Sequence, residues 1–161
     1  MSQCKPVGTP ITPGLTLRKA TRAPIEDEAT VIASIPYCRT LGELNYAMRT
    51  SRPNIAYSVS CLSRYRENPS IEHHRQLKHL LRYIHGPTDL TLVFGSSNDG
   101  LIGDSDSDYV ADQDDSRSTS AYVYMPFGGP VSWKSQKQSV VATSSTEAEY
   151  IGLSNASREA L

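Results

Sequence analysis

The first half of the chain carries three stretches in which apolar residues recur every three or four positions, the spacing that places them on one face of a helix. We therefore predict helices over residues 36–48, 51–65 and 68–86. The predicted buried faces consist of Tyr37, Leu41, Leu44 and Met48; of Ile55, Val59 and Leu62; and of Leu77, Leu80, Leu81 and Ile84.

The third predicted helix has the clearest ends. Asn68 or Ser70 caps its start, and Gly86 followed by Pro87 stops it. Its outer face is basic, and such a face is usually only solvated, although it also attracts nucleic-acid phosphates. The residues of this face are Arg75, Lys78, His79 and Arg82.

The segments on either side of these helices lack helical periodicity. Four prolines make residues 1–35 an irregular lead-in, in which "APIEDEAT" (residues 23–30) is expected to be a solvated loop. After Gly86, apolar and polar residues alternate, which is typical of strands. We predict strands over residues 90–95 and 101–106 joined by a hairpin turn at 96–100, a strand over 118–125, a turn at 126–130, and strand segments over 131–134 and 139–143.

The order of these elements predicts an α+β fold in three parts. Residues 1–35 form the lead-in, residues 36–88 a helical connection, and residues 89–161 an incomplete sheet of antiparallel strands followed by one helix. That last helix begins at Ser144.

Charge is distributed unevenly along the chain, although the formal net charge is only −1. Residues 36–96 hold eight Lys and Arg against four Asp and Glu, whereas residues 97–161 hold four against ten. The asymmetry is compatible with a nucleic-acid surface beside a metal site, and equally with two modules that attract each other.

Cysteine usage and hydropathy indicate the compartment. Cys4, Cys38 and Cys61 are widely spaced and form no C-x-x-C pair, which argues against a disulfide framework and against a zinc site. The first residues contain no apolar segment of a signal peptide, and no apolar run has membrane-spanning length. We expect an intracellular protein, cytoplasmic or nuclear, with no membrane partner.

Two glutamates open the terminal helix in "SSTEAEYIGLSNASREAL" (residues 144–161). Ser144 and Glu147 form a capping-box pattern, in which the glutamate reaches back to the backbone N–H of the cap. Glu149 instead shares a stripe with Leu153, Ala156 and Ala160. A carboxylate at the edge of an apolar stripe indicates a rim position or a salt bridge, or else a metal ligand or catalytic acid.

A second acidic group lies in "GDSDSDYVADQDD" (residues 103–115). Asp104, Asp106 and Asp108 alternate with other residues, so a strand would place all three on one face. The group is either a solvated acidic turn or a site for a hard cation, and its spacing does not fit a calcium loop. Magnesium binds a few carboxylate oxygens together with water and phosphate, and Asp106 and Glu149 have suitable placements.

Five segments, taken in their order along the chain, resemble the Pol polyprotein of Ty1/copia-type retrotransposons. The resemblance runs from the end of the reverse transcriptase into the first half of the ribonuclease H domain. This resemblance implies a ribonuclease H-like sheet and a parent activity that hydrolyses the RNA strand of RNA–DNA hybrids with two Mg²⁺ (or Mn²⁺) ions. The segments are "CKPVGTP", "SRPNIAYSVSCLSRY", "EHHRQLKHLLRYIHG", "SDSDYVADQDDSRSTSAYVYM" and "GGPVSWKSQKQSVVATSSTEAEYIGLS".

The resemblance also implies roles for individual residues. The first metal-binding aspartate of the family falls on Asp106 and the helix glutamate on Glu149, with Asp108 as an assisting carboxylate. The remaining two catalytic acids of the family would lie beyond Leu161, so we expect metal binding to be weak or absent and the isolated chain to be inactive. The residues expected to contact the nucleic acid are Arg117, Ser118, Thr119, Arg75, Lys78 and Arg82.

The chain departs from the family pattern at several positions, which suggests a copy that has drifted from its original task. Two alternatives therefore remain. One is a non-enzymatic adaptor that binds a protein partner at an exposed sheet edge, similar to secreted RxLR-type effectors, although "RQLK" at residues 75–78 misses the R-x-L-R pattern. The other is a plain nucleic-acid binder. The departing residues are Asn54, His74, Asp104, Tyr109, Ala111 and Ala121.

Overall fold

The computed structural model describes residues 4–22, 25–86, 90–96 and 100–161. The chain divides into two compact units, residues 1–90 and residues 91–161. In the part of the chain described, no helix is both long enough and apolar enough to cross a membrane.

The described residues of the first unit form four α-helices and one short 3₁₀ turn. Its core is formed by the apolar faces of the second, third and fourth helices. The elements are α1 (Glu26–Ala33), α2 (Tyr37–Thr50), the 3₁₀ turn (Pro53–Ile55), α3 (Ala56–Ser63) and α4 (Ile71–His85).

The three helices predicted from apolar periodicity are confirmed as α2, the 3₁₀ turn with α3, and α4. Ile55, Leu62, Leu77 and Leu80 are completely buried. Ser70 caps α4. His73, the third residue of the helix, takes the role that a glutamate has in a capping box, since its Nδ1 accepts from the Ser70 N–H at 2.8 Å. The helix ends at His85, as predicted, and Pro87 lies outside the described residues.

Residues 26–30 of the segment expected to be a loop are instead helical, because Glu26–Ala33 form α1, and residues 23 and 24 lie outside the described residues. Glu28 organises the start of this helix: its carboxylate accepts from the Ile25 N–H at 3.1 Å and from both terminal nitrogens of Arg22 at 2.7 and 2.9 Å. These bonds lower the pKa of the Glu28 carboxyl. Because α1 also packs against α4, tertiary contacts support a helix that its own sequence specifies weakly.

Before α1, residues 4–22 of the lead-in form neither helix nor strand, and they contact α4. Arg82 Nε donates to the Lys5 carbonyl at 2.8 Å, and His79 Nε2 lies 2.9 Å from the Thr9 carbonyl oxygen. Much of the predicted basic outer face of α4 is therefore bonded to the lead-in.

The second unit contains a three-stranded antiparallel sheet and one helix, which confirms the α+β class. The strands are β1 (Leu101–Ser107), β2 (Thr119–Pro126) and β3 (Ser132–Lys137), in the spatial order β1-β2-β3. The helix α5 (Ser145–Glu159) packs on β1 and β2.

Two predicted strands are wrong. Residues 90–95 form no strand: the Gly95 N–H bonds to the Phe127 carbonyl at 2.9 Å, and Phe94 lies over Gly129 in the β2–β3 turn. β1 therefore pairs with β2 rather than with residues 90–95, and part of the predicted hairpin turn (residues 97–99) lies outside the described residues. Residues 139–143 also form no strand, since the ladder ends with the bond from the Gln138 N–H to the Ser118 carbonyl.

Candidate metal site on the first strand and the terminal helix

Asp106 lies near the end of β1, and its side chain is exposed. Strand alternation places it on the same face as Asp104, as predicted, and on the opposite face from Ser107. β1 is an edge strand of the described sheet, with β2 on one side only. Asp106 is therefore open to solvent along the free edge of β1.

Asp108 extends the pairing of β1 with β2 by two bonds. Its N–H donates to the Thr119 carbonyl at 3.0 Å, and its carboxylate oxygen Oδ1 accepts from the Thr119 N–H. One of the two oxygens expected to assist a metal is therefore used to fix the end of the strand.

Glu147 and Glu149 occupy different environments at the start of α5. The Ser144 hydroxyl caps the helix by accepting from the Glu147 N–H at 3.1 Å, as predicted. The Glu147 carboxylate reaches one residue further back than predicted, because it accepts from the hydroxyl and the N–H of Thr143 at 2.6 and 2.7 Å. These bonds lower the pKa of the Glu147 carboxyl.

Glu149 does not lie on the buried stripe of α5, which corrects the prediction. The buried residues of this helix are Ala148, Gly152 and Ala156, whereas Glu149 and Leu153 are exposed. Glu149 is thus a carboxylate that faces solvent, one helical turn before Gly152.

Small residues allow α5 to lie very close to the sheet. A Cβ atom at Gly152 would lie 2.2 Å from Ser107 Oγ, which leaves space for no side chain. The interface is polar: Ser107 Oγ donates to Ser120 Oγ at 3.0 Å, and Gln138 Nε2 donates to Ser120 Oγ at 2.7 Å and to the Ala148 carbonyl at 2.9 Å. This contact brings together the two elements that carry Asp106 and Glu149.

The oxygen ligands available here suit a hard divalent cation in type. Magnesium is often held by one or two carboxylates, with water and substrate phosphate at its other positions. Among the described residues, no group of three or more His, Cys, Asp or Glu side chains converges in a way that would hold a metal ion. Asp106 and Glu149 supply exposed carboxylate oxygens of the chemical type that magnesium binds.

The acidic loop after β1 contains a buried ion pair that the sequence pattern did not reveal. The Asp112 side chain is only 2% exposed, and Lys137 Nζ lies 3.0 Å from its Oδ2 and 2.7 Å from Asp115 Oδ2. Lys137 is the last residue of β3, so the pair ties the loop to the sheet. The sequence left this segment as either a solvated acidic turn or a cation site, and no local spacing links Lys137 to Asp112 or Asp115 across more than twenty residues.

The residues predicted to contact nucleic acid differ in their exposure. Ser118 and Thr119 are buried, and the Ser118 hydroxyl accepts from the Val110 N–H at 3.2 Å. Arg117 is half-exposed beside Asp115. On α4, Arg75 pairs with Glu72 and is exposed, Lys78 is half-buried, and Arg82 bonds to the lead-in as described above.

Three of the departures from the family pattern make defined contacts. Asn54 Nδ2 donates to the Tyr83 hydroxyl at 2.8 Å, and the Tyr109 hydroxyl donates to the Thr143 carbonyl at 3.3 Å. His74 is buried, with its ring centroid 5.1 Å from that of Tyr37. The structure therefore accommodates these substitutions with specific bonds.

Comparisons with known proteins match the chain almost from end to end. It is 40% identical over 159 residues to the Retrovirus-related Pol polyprotein from transposon TNT 1-94 of Nicotiana tabacum, which covers 99% of this chain and 12% of that protein. It is 38% identical over 162 residues to the Pol polyprotein from transposon RE2 of Arabidopsis thaliana, covering 99% of this chain and 10% of that protein. The chain thus spans about a tenth of the length of these Pol polyproteins.

A shorter relative has a different name. The Secreted RxLR effector protein 161 of Plasmopara viticola is 40% identical over 129 residues, which cover 80% of this chain and 91% of that protein. No family model matches the chain, and no solved structure matches it. Because the identity to the Pol polyproteins extends over both units, the chain belongs to the family formed by this segment of the retrovirus-related Pol polyproteins of copia-type transposons.

Proposed function

We propose that this segment serves a ribonuclease H activity of the Pol polyprotein, the metal-dependent hydrolysis of the RNA strand of RNA–DNA hybrids. The observation that carries the proposal is the close contact of α5 with β1 at Gly152 and Ser107, which places Asp106 and Glu149 on packed elements. The identity to Pol polyproteins over 99% of the chain supports it.

In this proposal, Asp106 on β1 and Glu149 at the start of α5 would hold the divalent cation at the free edge of β1. Both carboxylates are exposed, and β1 has no described neighbour on its outer side. Bound magnesium would polarise a phosphoryl oxygen and make a bound water more acidic. Asp108 holds the end of β1 in register through Thr119, so that Asp106 keeps a fixed position.

The isolated chain is expected not to cleave hybrids, because two protein carboxylates hold a cation more loosely than three or four. A chimera tests the role of the segment: this chain replaces the matching segment of the tobacco Pol polyprotein, and hydrolysis of a labelled RNA–DNA hybrid is measured with Mg²⁺ or Mn²⁺. We expect cleavage by the chimera and its loss in Asp106→Asn and Glu149→Gln. An inactive chimera that folds, beside an active parent polyprotein, would contradict the proposal.

A second candidate function is favoured by the match to 91% of the Plasmopara effector. In that case the chain is a non-enzymatic adaptor, and the free edge of β1 binds an extended segment of another protein by adding a strand. Leu101 and Ile102 on this strand are exposed apolar residues.

Selection of peptides from a displayed random library tests the adaptor function. Extended peptides that bind the chain and its Asp106→Asn/Glu149→Gln variant, but not Ile102→Lys, would support it. Failure to enrich any peptide that depends on Ile102 would count against it.

A further inference from the structure

The first unit contains a basic groove that was not predicted from the sequence. Its main hollow, of about 420 Å³, lies between residues 16–22, Glu28 of α1 and the start of α4. A smaller hollow of about 190 Å³ shares Lys19 and Ala20 with it and extends to Arg64. We call the two together the basic groove.

The charges along the basic groove have a positive balance. Five basic residues line it against three glutamates, so the surface as a whole attracts anions. The basic residues are Arg18, Lys19, Arg22, Arg64 and Arg75, and the acidic ones are Glu28, Glu67 and Glu72.

Ion pairs hold two of the guanidinium groups in place. Arg22 makes its two bonds with Glu28, and Arg75 pairs with Glu72 at the start of α4. The bond from Arg22 lowers the pKa of the Glu28 carboxyl, and the charge of Arg75 lowers it further. The guanidinium groups are therefore ordered before a ligand arrives.

The opposite wall of the groove is also anchored. The Tyr65 hydroxyl donates to the Leu17 carbonyl at 2.9 Å, and this bond fixes the backbone immediately before Arg18 and Lys19. Both of these side chains are exposed. Further along α4, Arg82 and His79 are bonded to backbone carbonyls of the lead-in.

We propose that the basic groove binds the phosphodiester backbone of a nucleic acid. Two connected hollows with basic residues in both suit a chain of phosphates better than a single phosphate group. Guanidinium and ammonium groups supply the charge-assisted bonds that phosphate oxygens accept. The inference deepens the proposed function, on which it rests for the choice of ligand, by naming where the RNA–DNA hybrid is held.

The test measures binding of a fluorescein-labelled 20-base-pair RNA–DNA hybrid to the full chain by anisotropy, in EDTA and at several salt concentrations. We expect Arg18→Gln/Lys19→Gln to weaken binding roughly tenfold and to reduce the slope of log K against log salt by about one for each charge removed. The control Arg39→Gln/Arg49→Gln removes the same charge from exposed positions on α2 and should retain the slope. Circular dichroism verifies that every variant is folded.

The proposal would be overturned by a wild-type chain that does not bind the hybrid, by an Arg18→Gln/Lys19→Gln variant with an unchanged slope, or by equal weakening in the α2 control. Inorganic tripolyphosphate that displaces the probe as well as unlabelled hybrid, at equal phosphate concentration, would also overturn it, because the groove would then bind simple polyanions.

The outcome is separable from that of the proposed function. An inactive chimera together with groove-dependent binding would refute the nuclease proposal alone. An active chimera together with groove-independent binding would refute the groove alone.

Discussion

Gly152 of α5 lies very close to Ser107 of β1, and we predict that Gly152→Ala destabilises the second unit. In an exposed helix this change would stabilise by about 1 kcal/mol, because alanine is the better helix former. Here the new Cβ would lie 2.2 Å from Ser107 Oγ and 3.3 Å from Ser120 Oγ. The helix must shift or the Ser107 hydroxyl must rotate away.

The magnitude follows from the contacts that are disturbed. Overpacking a tight interface costs about 1–3 kcal/mol. Loss of the 3.0 Å bond from Ser107 to Ser120 costs about 0.5–1.5 kcal/mol more. After subtraction of the gain in helix propensity, we expect a net loss of about 1–3 kcal/mol in the free energy of unfolding.

Urea unfolding followed by fluorescence of Trp133, the single tryptophan, reports on this unit. In the double variant Gly152→Ala/Ser107→Ala, the clashing hydroxyl is gone and the nearest Ser107 atom, Cβ, lies at an ordinary 3.5 Å. Its stability should equal or exceed that of Ser107→Ala alone. A Gly152→Ala chain as stable as the wild type, or a double variant no better than the sum of its single changes, would refute the reasoning.

Gly42→Ala in α2, where a Cβ would meet nothing within 4 Å, should raise the free energy of unfolding by about 1 kcal/mol in a urea titration followed by circular dichroism. Lys137→Met, which leaves the buried Asp112 without its ammonium partner, should lower it by roughly 3 kcal/mol, measured by Trp133 fluorescence. The folded-state pKa of Glu147 is lowered by Thr143, so its stabilising contribution is complete above its ordinary pKa of 4.5 and is lost as pH falls through the lowered value. In Glu147→Gln, Tm should therefore fall less steeply below pH 4.5 than in the wild type.

Most helices of the first unit could be predicted from the sequence, because their apolar residues recur at helical spacing over several turns. Leu77 and Leu80 are buried as periodicity requires, and Ser70 caps α4. The helix α1 was missed because its support comes from Arg22 and from packing on α4, neither of which its own composition reveals. Local propensity is a weak guide where tertiary contacts decide.

The sheet half was harder to predict because pairing is not local. The alternation over residues 90–95 indicated a strand, but Phe94 lies over Gly129 instead of joining a ladder. A period of two shows which side chains share a face, and it does not identify the partner strand.

The face of α5 was misassigned for a related reason. Apolar size suggested that Leu153 faces the core, whereas the close approach of helix and sheet selects the small residues Ala148, Gly152 and Ala156. Polar bonds from Gln138 and Ser120 then fill an interface that a purely hydrophobic pattern cannot identify. Glu149 consequently faces solvent, so burial does not require this carboxylate to have a charged partner.

Mn²⁺ binding measured by electron paramagnetic resonance tests the proposal that Asp106 and Glu149 hold one divalent cation. The titration compares the wild type with Asp106→Asn, Glu149→Gln and their double variant, and with Asp104→Asn as a control on the same face of β1. We predict a weak Mn²⁺ site that either single change removes, with no further loss in the double variant and full retention in Asp104→Asn. Mn²⁺ binding that persists in both single variants, or that depends on Asp104 alone, would contradict the shared site.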